Sequence, residues 1–363
     1  MRLLHIFPSF EIGGAQARFA QIANHFAARF EHVVVALDGC VEARRLVNSA
    51  VSMDVVALSY DKKSQLRSLW RFRAELESRR HDLLLTYNWG AVDWALANRM
   101  RKSSRHVHME DGFGPDEADR QLRRRIWFRR IALTGGHTTV IVPSQTLLSI
   151  ARDVWHLPGR RVVYLPNGID CVRFQGRQTE SGQRGAVVIG TVASLRAEKN
   201  LGRLIRAAAL LRRTMNARLI IVGDGPERTA LERLTVDLGM AAAVDFVGAT
   251  SAPEEFYRRM DLFAISSDTE QMPYSVLEAM ATGLPIVATD VGDIAQMVSE
   301  PNRRFVIADR TPEGFARTLA ELVADAELRA DVGAANRKAA LARFDLDVML
   351  SRYLSLFEGG SLA

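Results

Sequence analysis

Cysteine and lysine are scarce in this 363-residue chain, and each scarcity narrows what it can be. The two cysteines, Cys40 and Cys171, lie far apart without metal-ligand spacing, so neither a disulfide framework nor a zinc site is implied. Five lysines stand against 43 arginines, so a lysine kept just after a strand is informative. No stretch approaches the roughly 20 apolar residues of a membrane span, and the opening "MRLLHIF" is too brief for a signal-peptide core. A cytoplasmic location is therefore the expectation. Low-complexity tracts and short repeats are also lacking. What remains is the composition of an ordinary globular protein, 48% hydrophobic and long enough for two domains.

The net charge of +6 is unevenly placed. Residues 1–163 carry 25 lysines and arginines against 16 acids, while the remainder has 23 against 26. Much of the excess lies in "QLRSLWRFRAELESRR" (Gln65–Arg80) and "RQLRRRIWFRRIAL" (Arg120–Leu133), where arginines alternate with Trp70, Phe72, Trp127 and Phe128. Such stretches suit an anionic membrane or an acidic ligand, and they equally suit two packed helices whose arginines face water. No recognition motif accompanies the charge, so nucleic acid is not an expected partner.

Short β-branched runs recur with helical stretches between them: "RLLHIF", "HVVVAL", "MDVVAL", "DLLLTY", "RHVHM" and "TTVIV". After the polar stretch "LPNGIDCVRFQGRQTESGQRG" (Leu165–Gly185) the pattern restarts with "AVVIGTVA", "ARLIIVG", "VDFVG", "LFAIS" and "PIVAT". This alternation predicts parallel sheets covered by helices, hence an α/β chain of two doubly wound, Rossmann-like domains. Ligands of such sheets bind beyond the carboxyl ends of the strands, so an interdomain cleft is the expected active site. The expected boundaries are 1–165, a linker 166–185, 186–345, and a C-terminal helix 346–363 that packs back on the first domain.

Several residues could carry chemistry. Gly13 and Gly14 follow the first strand and precede a helix, where glycines either let backbone amides approach an anion or simply form a tight turn. "IVGDGPER" (Ile221–Arg228) has Gly-x-Gly after a strand, but Arg228 stands where a dinucleotide fingerprint wants a third glycine. Lys199, with Arg196 three residues before it, could neutralise phosphate or be an ordinary solvated charge. In "SSDTEQMPYSVLEAMATGLPIVATD" (Ser266–Asp290), Pro273 is expected to open a helix that Gly283 and Pro285 end. Tyr274, Ser275, Glu278 and Thr282 then share one face, and Val276, Leu277 and Met280 face the core. Glu270 precedes that helix on a loop. Spacing alone leaves the two glutamates open as a hydrolase's acid/base pair or as clamps for hydroxyl groups. The free amides of the helix start favour an anionic leaving group.

Taken together, Gly13-Gly14, "PNGID" (Pro166–Asp170), "LRAEKN" (Leu195–Asn200), "IIVGDGPE" (Ile220–Glu227), "VDFVG" (Val244–Gly248) and "SSDTEQMPYSVLEAMATGLPIVATDVG" (Ser266–Gly292) resemble the retaining family-4 glycosyltransferases of GT-B fold. The resemblance spans most of the chain, and the two glutamates before "AMATGLP" are its most specific element. It implies transfer of a sugar from a UDP or GDP donor, held mainly by the second domain, to an acceptor on the first. Glu278 would bind the ribose hydroxyls and Glu270 those of the transferred sugar. The amides of Met272, Pro273's neighbours Tyr274 and Ser275, and the side chains of Lys199 and Arg196 would meet the donor. Gly13 and Gly14 would close on its phosphates, and Val247 and Gly248 would line its base. No metal or other cofactor is implied, because cations and a helix dipole would stabilise the departing diphosphate.

Two positions depart from the family pattern. An arginine is usual five residues before the lysine, and here Ser194 stands there, with Arg196 as a substitute. A histidine usual in the loop after a middle strand of the first domain is replaced by Asp111, a catalytic candidate, with His108 as a competing alignment and His106 further back. The basic, aromatic first half suggests a lipid-linked or cell-envelope glycan as acceptor and peripheral contact with an anionic membrane. The rival activities are a nucleotide-sugar epimerase and a non-catalytic membrane or protein-interaction module.

Overall fold

The structure, a computed structural model, describes residues 1–57, 65–101, 104–113, 117, 121–135, 138–176 and 185–360, with the backbone alone at 57, 65–68 and 101. Lys62, Lys63, Lys102 and Arg120, most of the stretch after Phe113, residues 177–184 of the expected linker and the last three residues lie outside the described residues.

The chain divides into two compact units, Met1–Pro166 together with the residues from Met349 on, and Asn167–Val348. The first is built on seven parallel strands, β1 (Arg2–Phe7), β2 (Glu31–Ala36), β3 (Met53–Ala57), β4 (Leu83–Tyr87), β5 (Arg105–Met109), β6 (Thr138–Val142) and β7 (Val162–Tyr164). They lie in the order β3-β2-β1-β4-β5-β6-β7. The helices are α1 (Gly14–His25), α2 (Gln65–Ser78), α3 (Val92–Arg101), α4 (Arg123–Thr134) and the short α5 (Gln145–Ser149). All six predicted strands are present; only β7, three residues long, gave too short an apolar run to be read.

The strands are apolar almost throughout because helices cover both faces of the sheet. The buried histidines and threonines among the exceptions pair with one another or with Tyr87. His5 shares hydrogen bonds with Tyr87 and His32, both at 3.0 Å. The Thr86 hydroxyl lies 2.8 Å from both His106 and His108, and His106 reaches Thr138 at 3.1 Å. Burial holds the His5 imidazole well below its ordinary pKa, lowers His32 to about 4 and lowers His106 to about 3. These rings stay neutral when folded but protonate below about pH 6.5 once unfolded, so stability is lost as pH falls through that value. Lowering the pH from 7.5 to 5 is expected to cost the first unit roughly 2 kcal/mol per histidine. Calorimetry of wild type and His32→Phe tests this: equal pH slopes in the two would sink the account.

The second unit has β8 (Val187–Val192), β9 (Ala217–Val222), β10 (Val244–Gly248), β11 (Leu262–Ile265), β12 (Ile286–Thr289) and β13 (Val306–Ile307), all parallel, in the order β10-β9-β8-β11-β12-β13. Its helices are α6 (Leu201–Leu211), α7 (Arg228–Asp237), α8 (Pro253–Tyr257), α9 (Tyr274–Thr282), α10 (Ile294–Met297), α11 (Pro312–Ala324) and α12 (Ala326–Arg343). Here too the five predicted strands are found, with the two-residue β13 added.

The stretch expected to be a linker from residue 166 instead joins the second unit's core. Ile169, Cys171 and Phe174 are buried with Tyr257 and Phe263, and Ile169 makes a parallel bridge with Asp345. Three apolar side chains spaced through a polar segment are enough to dock it. The last helix, α13 (Leu346–Glu358), ends in the first unit: Tyr353, Leu356 and Phe357 are buried, and the Arg105 guanidinium donates to the carbonyls of Leu356 (2.8 Å) and Phe357 (3.0 Å).

Candidate functional site

In each sheet the strand order reverses direction, at β1/β4 in the first and β8/β11 in the second. Doubly wound sheets open a crevice at the carboxyl ends of the strands flanking such a point. The loops following β8 and β11 contain Arg196, Lys199, Glu270, Met272 and Pro273, and the second leads into the helix that holds Glu278.

After β8 the chain is fixed by its neighbour. Ala193 N–H donates to Val222 (3.0 Å) and Leu195 N–H to Asp224 (2.9 Å). Gly223, at φ 134°, lies so close that a Cβ would overlap the Ala193 carbonyl oxygen. The Gly-x-Gly after β9 thus serves backbone packing, and Arg228 bonds Asp224 and Glu232. Ser194 is exposed, and Arg196 is half-buried at the start of a single turn, Ala197–Lys199. Asn200 takes the left-handed conformation that asparagine tolerates, φ 43° and ψ 47°, and caps α6 by accepting from Arg203 N–H.

That turn delivers Lys199 to Glu270. The ammonium donates to Glu270 Oε1 at 2.6 Å, and the Ser267 hydroxyl donates to the same oxygen at 2.8 Å. The two loops are laced further: Asp268 N–H donates to Glu198, and Arg203 to Ser266 and Asp268. Glu270 is 9% exposed and Lys199 22%, open enough for a ligand to reach yet dry enough for the charges to matter.

Beyond Glu270 the backbone is held on two sides. The Asn167 side-chain amide donates to the Met272 carbonyl at 3.0 Å. Asp293 N–H donates to Gln271 at 2.9 Å, and Gly292, at φ 57°, sits where a Cβ would overlap the Glu270 carbonyl. Pro273 is not the first helical residue as expected. Its ψ of 130° is extended, and it is the N-cap of α9, which begins at Tyr274; proline itself offers no side-chain cap. Gly283, at φ 85°, ends the helix as predicted. Val276, Leu277 and Met280 are buried, and Tyr274, Ser275 and Glu278 are partly buried. Thr282 differs from expectation: it is buried, its hydroxyl donating to the Glu278 carbonyl.

Glu278 accepts a hydrogen bond from the Tyr257 hydroxyl at 2.8 Å. Burial pushes its carboxyl up to about 7, against the opposing pull of the Tyr257 hydrogen bond and of Arg173. Lys199, Glu270, Met272 to Ser275 and Glu278 are therefore brought along one loop and one helix start. Val247 and Gly248 end β10, two strands out from β8, where Gly248 accepts from Gly223 N–H.

In the first unit, Gly13 caps α1 in an extended conformation, φ −163°, and both Gly13 and Gly14 are exposed. The chain bends at residues 11–13 before entering α1, and Gly13, the N-cap, has no side chain to cap its amides. Asp111 follows β5 and is gripped by Arg18, at 2.5 and 2.8 Å. His108 and His106 lie wholly inside β5, which removes His108 as a competitor for the loop position. Arg18, Tyr257, Ser267 and Asn167 escaped the sequence analysis. One buried arginine among 43 carries no signal, whereas the asparagine of "PNG" could have been noticed as a turn residue.

Sequence comparisons agree with this layout. The profile "Glycosyl transferases group 1" matches residues 176–339, and "Glycosyl transferase 4-like domain" matches 13–168. The chain is 28% identical over 225 residues to the GDP-mannose-dependent alpha-(1-6)-phosphatidylinositol monomannoside mannosyltransferase of Mycobacterium tuberculosis, covering 57% of this chain and 58% of that one. It is 29% identical over 171 residues to the lipopolysaccharide core biosynthesis glycosyltransferase LpsE of Rhizobium meliloti, covering 47% and 49%. The chain thus spans about half the length of the curated relatives it matches. Among solved structures it resembles HepE of Anabaena in complex with UDP, TM-score 0.82 at 19% identity over 99% of this chain and 100% of that one. WaaG, a glycosyltransferase involved in lipopolysaccharide biosynthesis, gives 0.77 at 20% identity over 99% and 100%.

Proposed function

Because the chain belongs to the group 1, family-4 glycosyltransferases and has their GT-B fold, we propose that it transfers a sugar, with retention, from a UDP or GDP sugar to a lipid-linked or cell-envelope glycan. The observation that carries this reading is the Lys199–Glu270 pair set directly before the N-terminus of α9, with Glu278 one turn into the helix. Lys199 and the α9 amides suit a departing diphosphate, and the two carboxyls suit the hydroxyls of the sugar and the ribose. Arg196 adds charge, Val247 and Gly248 line the base, and Gly13 and Gly14 offer the start of α1 to an anion. The acceptor oxygen would bond to the anomeric carbon as its bond to phosphate breaks, and the acceptor proton would pass to the leaving diphosphate. Such a step needs no protein base and no metal. HepE was solved with UDP and the mycobacterial relative is GDP-mannose-dependent, so both bases enter the test.

Thermal unfolding with UDP, GDP, UDP-glucose and GDP-mannose, with and without EDTA, is the direct experiment. Stabilisation by one nucleotide series, insensitive to EDTA and about 2.7 kcal/mol at 100 times Kd, is expected. No shift with any of them would overturn the reading.

A membrane-borne acceptor is favoured by one face of the first unit. Trp70, Met100 and Trp127 are 63%, 50% and 64% exposed on α2, α3 and α4, which pack in that order. Exposed Arg71, Arg80, Arg99, Arg123, Arg124 and Arg130 accompany them. Not every arginine faces water as expected: Arg129 is buried among Trp89, Phe113 and Trp155 and paired with Glu110 and Glu117. No helix among the described residues is long and apolar enough to cross a membrane, so peripheral contact is the form proposed. Vesicles containing phosphatidylglycerol should retain the wild type at low salt and release Trp127→Ala at least tenfold more readily. Equal retention of both would remove this face from the proposal.

A further inference from the structure

At the carboxyl edge of the first sheet, two residues are kept in unfavourable states and converge on a third. Asn88, at the tip of β4, has φ 55° and ψ 180°, a conformation that residues with a side chain rarely adopt. Arg18 buries its side chain to 2% exposure. The Asn88 amide oxygen accepts from Asp111 N–H at 2.7 Å while its own N–H donates to Met109. Arg18 grips the two Asp111 carboxylate oxygens at 2.5 and 2.8 Å. The preceding residue, Glu110, points to the opposite face, as strand alternation requires, and is held there by Arg129 at 3.3 Å. The tip of β5 is thereby fixed from both sides.

Asp111 is not consumed by this arrangement. Its side chain remains 17% exposed, and a carboxylate offers about four lone-pair positions, of which the Arg18 fork occupies two. We propose that Asn88 and Arg18 are positioning residues, holding Asp111 by its amide and its carboxylate so that its remaining lone pairs accept hydroxyl groups of a carbohydrate bound at this edge. Glycine would adopt the Asn88 conformation without strain, so an asparagine there serves its side chain and not the backbone. Lysine in place of Arg18 would keep the charge and lose the two-pronged grip.

The inference rests on the transferase reading, and the test separates the two. Full-length Asn88→Gly should melt at or above the wild-type temperature and bind UDP or GDP within twofold of wild type. Its turnover of the matching nucleotide sugar, with octyl glucoside and octyl mannoside as acceptors, should fall at least tenfold. In an Asp111→Asn background the same change should cost less than twofold, because both act through one side chain. Arg18→Lys should likewise keep nucleotide affinity and lose at least tenfold in turnover, with no gain in melting temperature. Wild-type turnover in Asn88→Gly, or losses that multiply in the double variant, would overturn the positioning role. Failure of the wild-type chain to bind either nucleotide would overturn the transferase reading, and this inference with it.

Discussion

Replacing Glu278 with glutamine is expected to stabilise the unliganded chain at pH 8 while removing most of its affinity for nucleoside diphosphates. Burial raises the Glu278 carboxyl from 4.5 to about 7. Below pH 4.5 the group is protonated in both folded and unfolded chains and has no effect. Between 4.5 and 7 the folded chain retains a proton that the unfolded chain has released, so stability falls as pH rises through that window. Above 7 the folded chain bears the full penalty of a recessed charge, on the order of 2 to 3 kcal/mol. Glutamine escapes it and can still accept from Tyr257. The variant should therefore melt higher than wild type at pH 8 and match it near pH 4.5. Ribose hydroxyls, by contrast, bond best to a charged acceptor, so affinity should fall 30- to 100-fold. A carboxyl near pH 7 is also what a hydrolase's general acid requires. Glutamine at 278 separates the two: a hydrolase would lose turnover and keep its nucleotide affinity.

The sheets were legible because their strands are covered on both faces, which leaves continuous apolar runs such as "LLLTY" and "LFAIS" in the sequence. The edge strands β7 and β13 pair on one side only and are two or three residues long, too short for any pattern. Glu270, Glu278 and Lys199 could be found because residue type and spacing mark them, a lysine in an arginine-rich chain and glutamates flanking a proline. What holds them could not. Lys199 and Glu270 meet across 71 positions, Tyr257 reaches Glu278 from α8, and Asn167 reaches Met272 from a segment read as linker. Those contacts depend on strand order, β8 beside β11, which local periodicity does not encode. Asp111 shows the same limit. Its place after a strand was visible, whereas its grip by Arg18 needs α1 packed against that sheet.

The largest loss of activity is expected from Lys199→Met. The methionine keeps much of the side chain's volume but removes the charge that, on the proposed reading, would face a departing diphosphate, and it leaves Glu270 without its ammonium partner. Transition-state charge should lose about 4 kcal/mol of stabilisation, a roughly 10³-fold fall in kcat/KM, mostly in kcat. Stability should fall as well, by about 1 to 2 kcal/mol, because Glu270 is 9% exposed and only the Ser267 hydroxyl then remains from its present donors. Adding Glu270→Gln removes the orphaned charge, so the double variant should melt higher than Lys199→Met alone. Its activity should fall less than the product of the two single losses, since the side chains act as one unit. Steady-state kinetics and melting temperatures of the four proteins close the cycle. If the melting temperatures were strictly additive, the ion pair would be a surface ornament; if kcat survived in Lys199→Met, the charge facing the leaving group would have to come from Arg196 and the α9 amides.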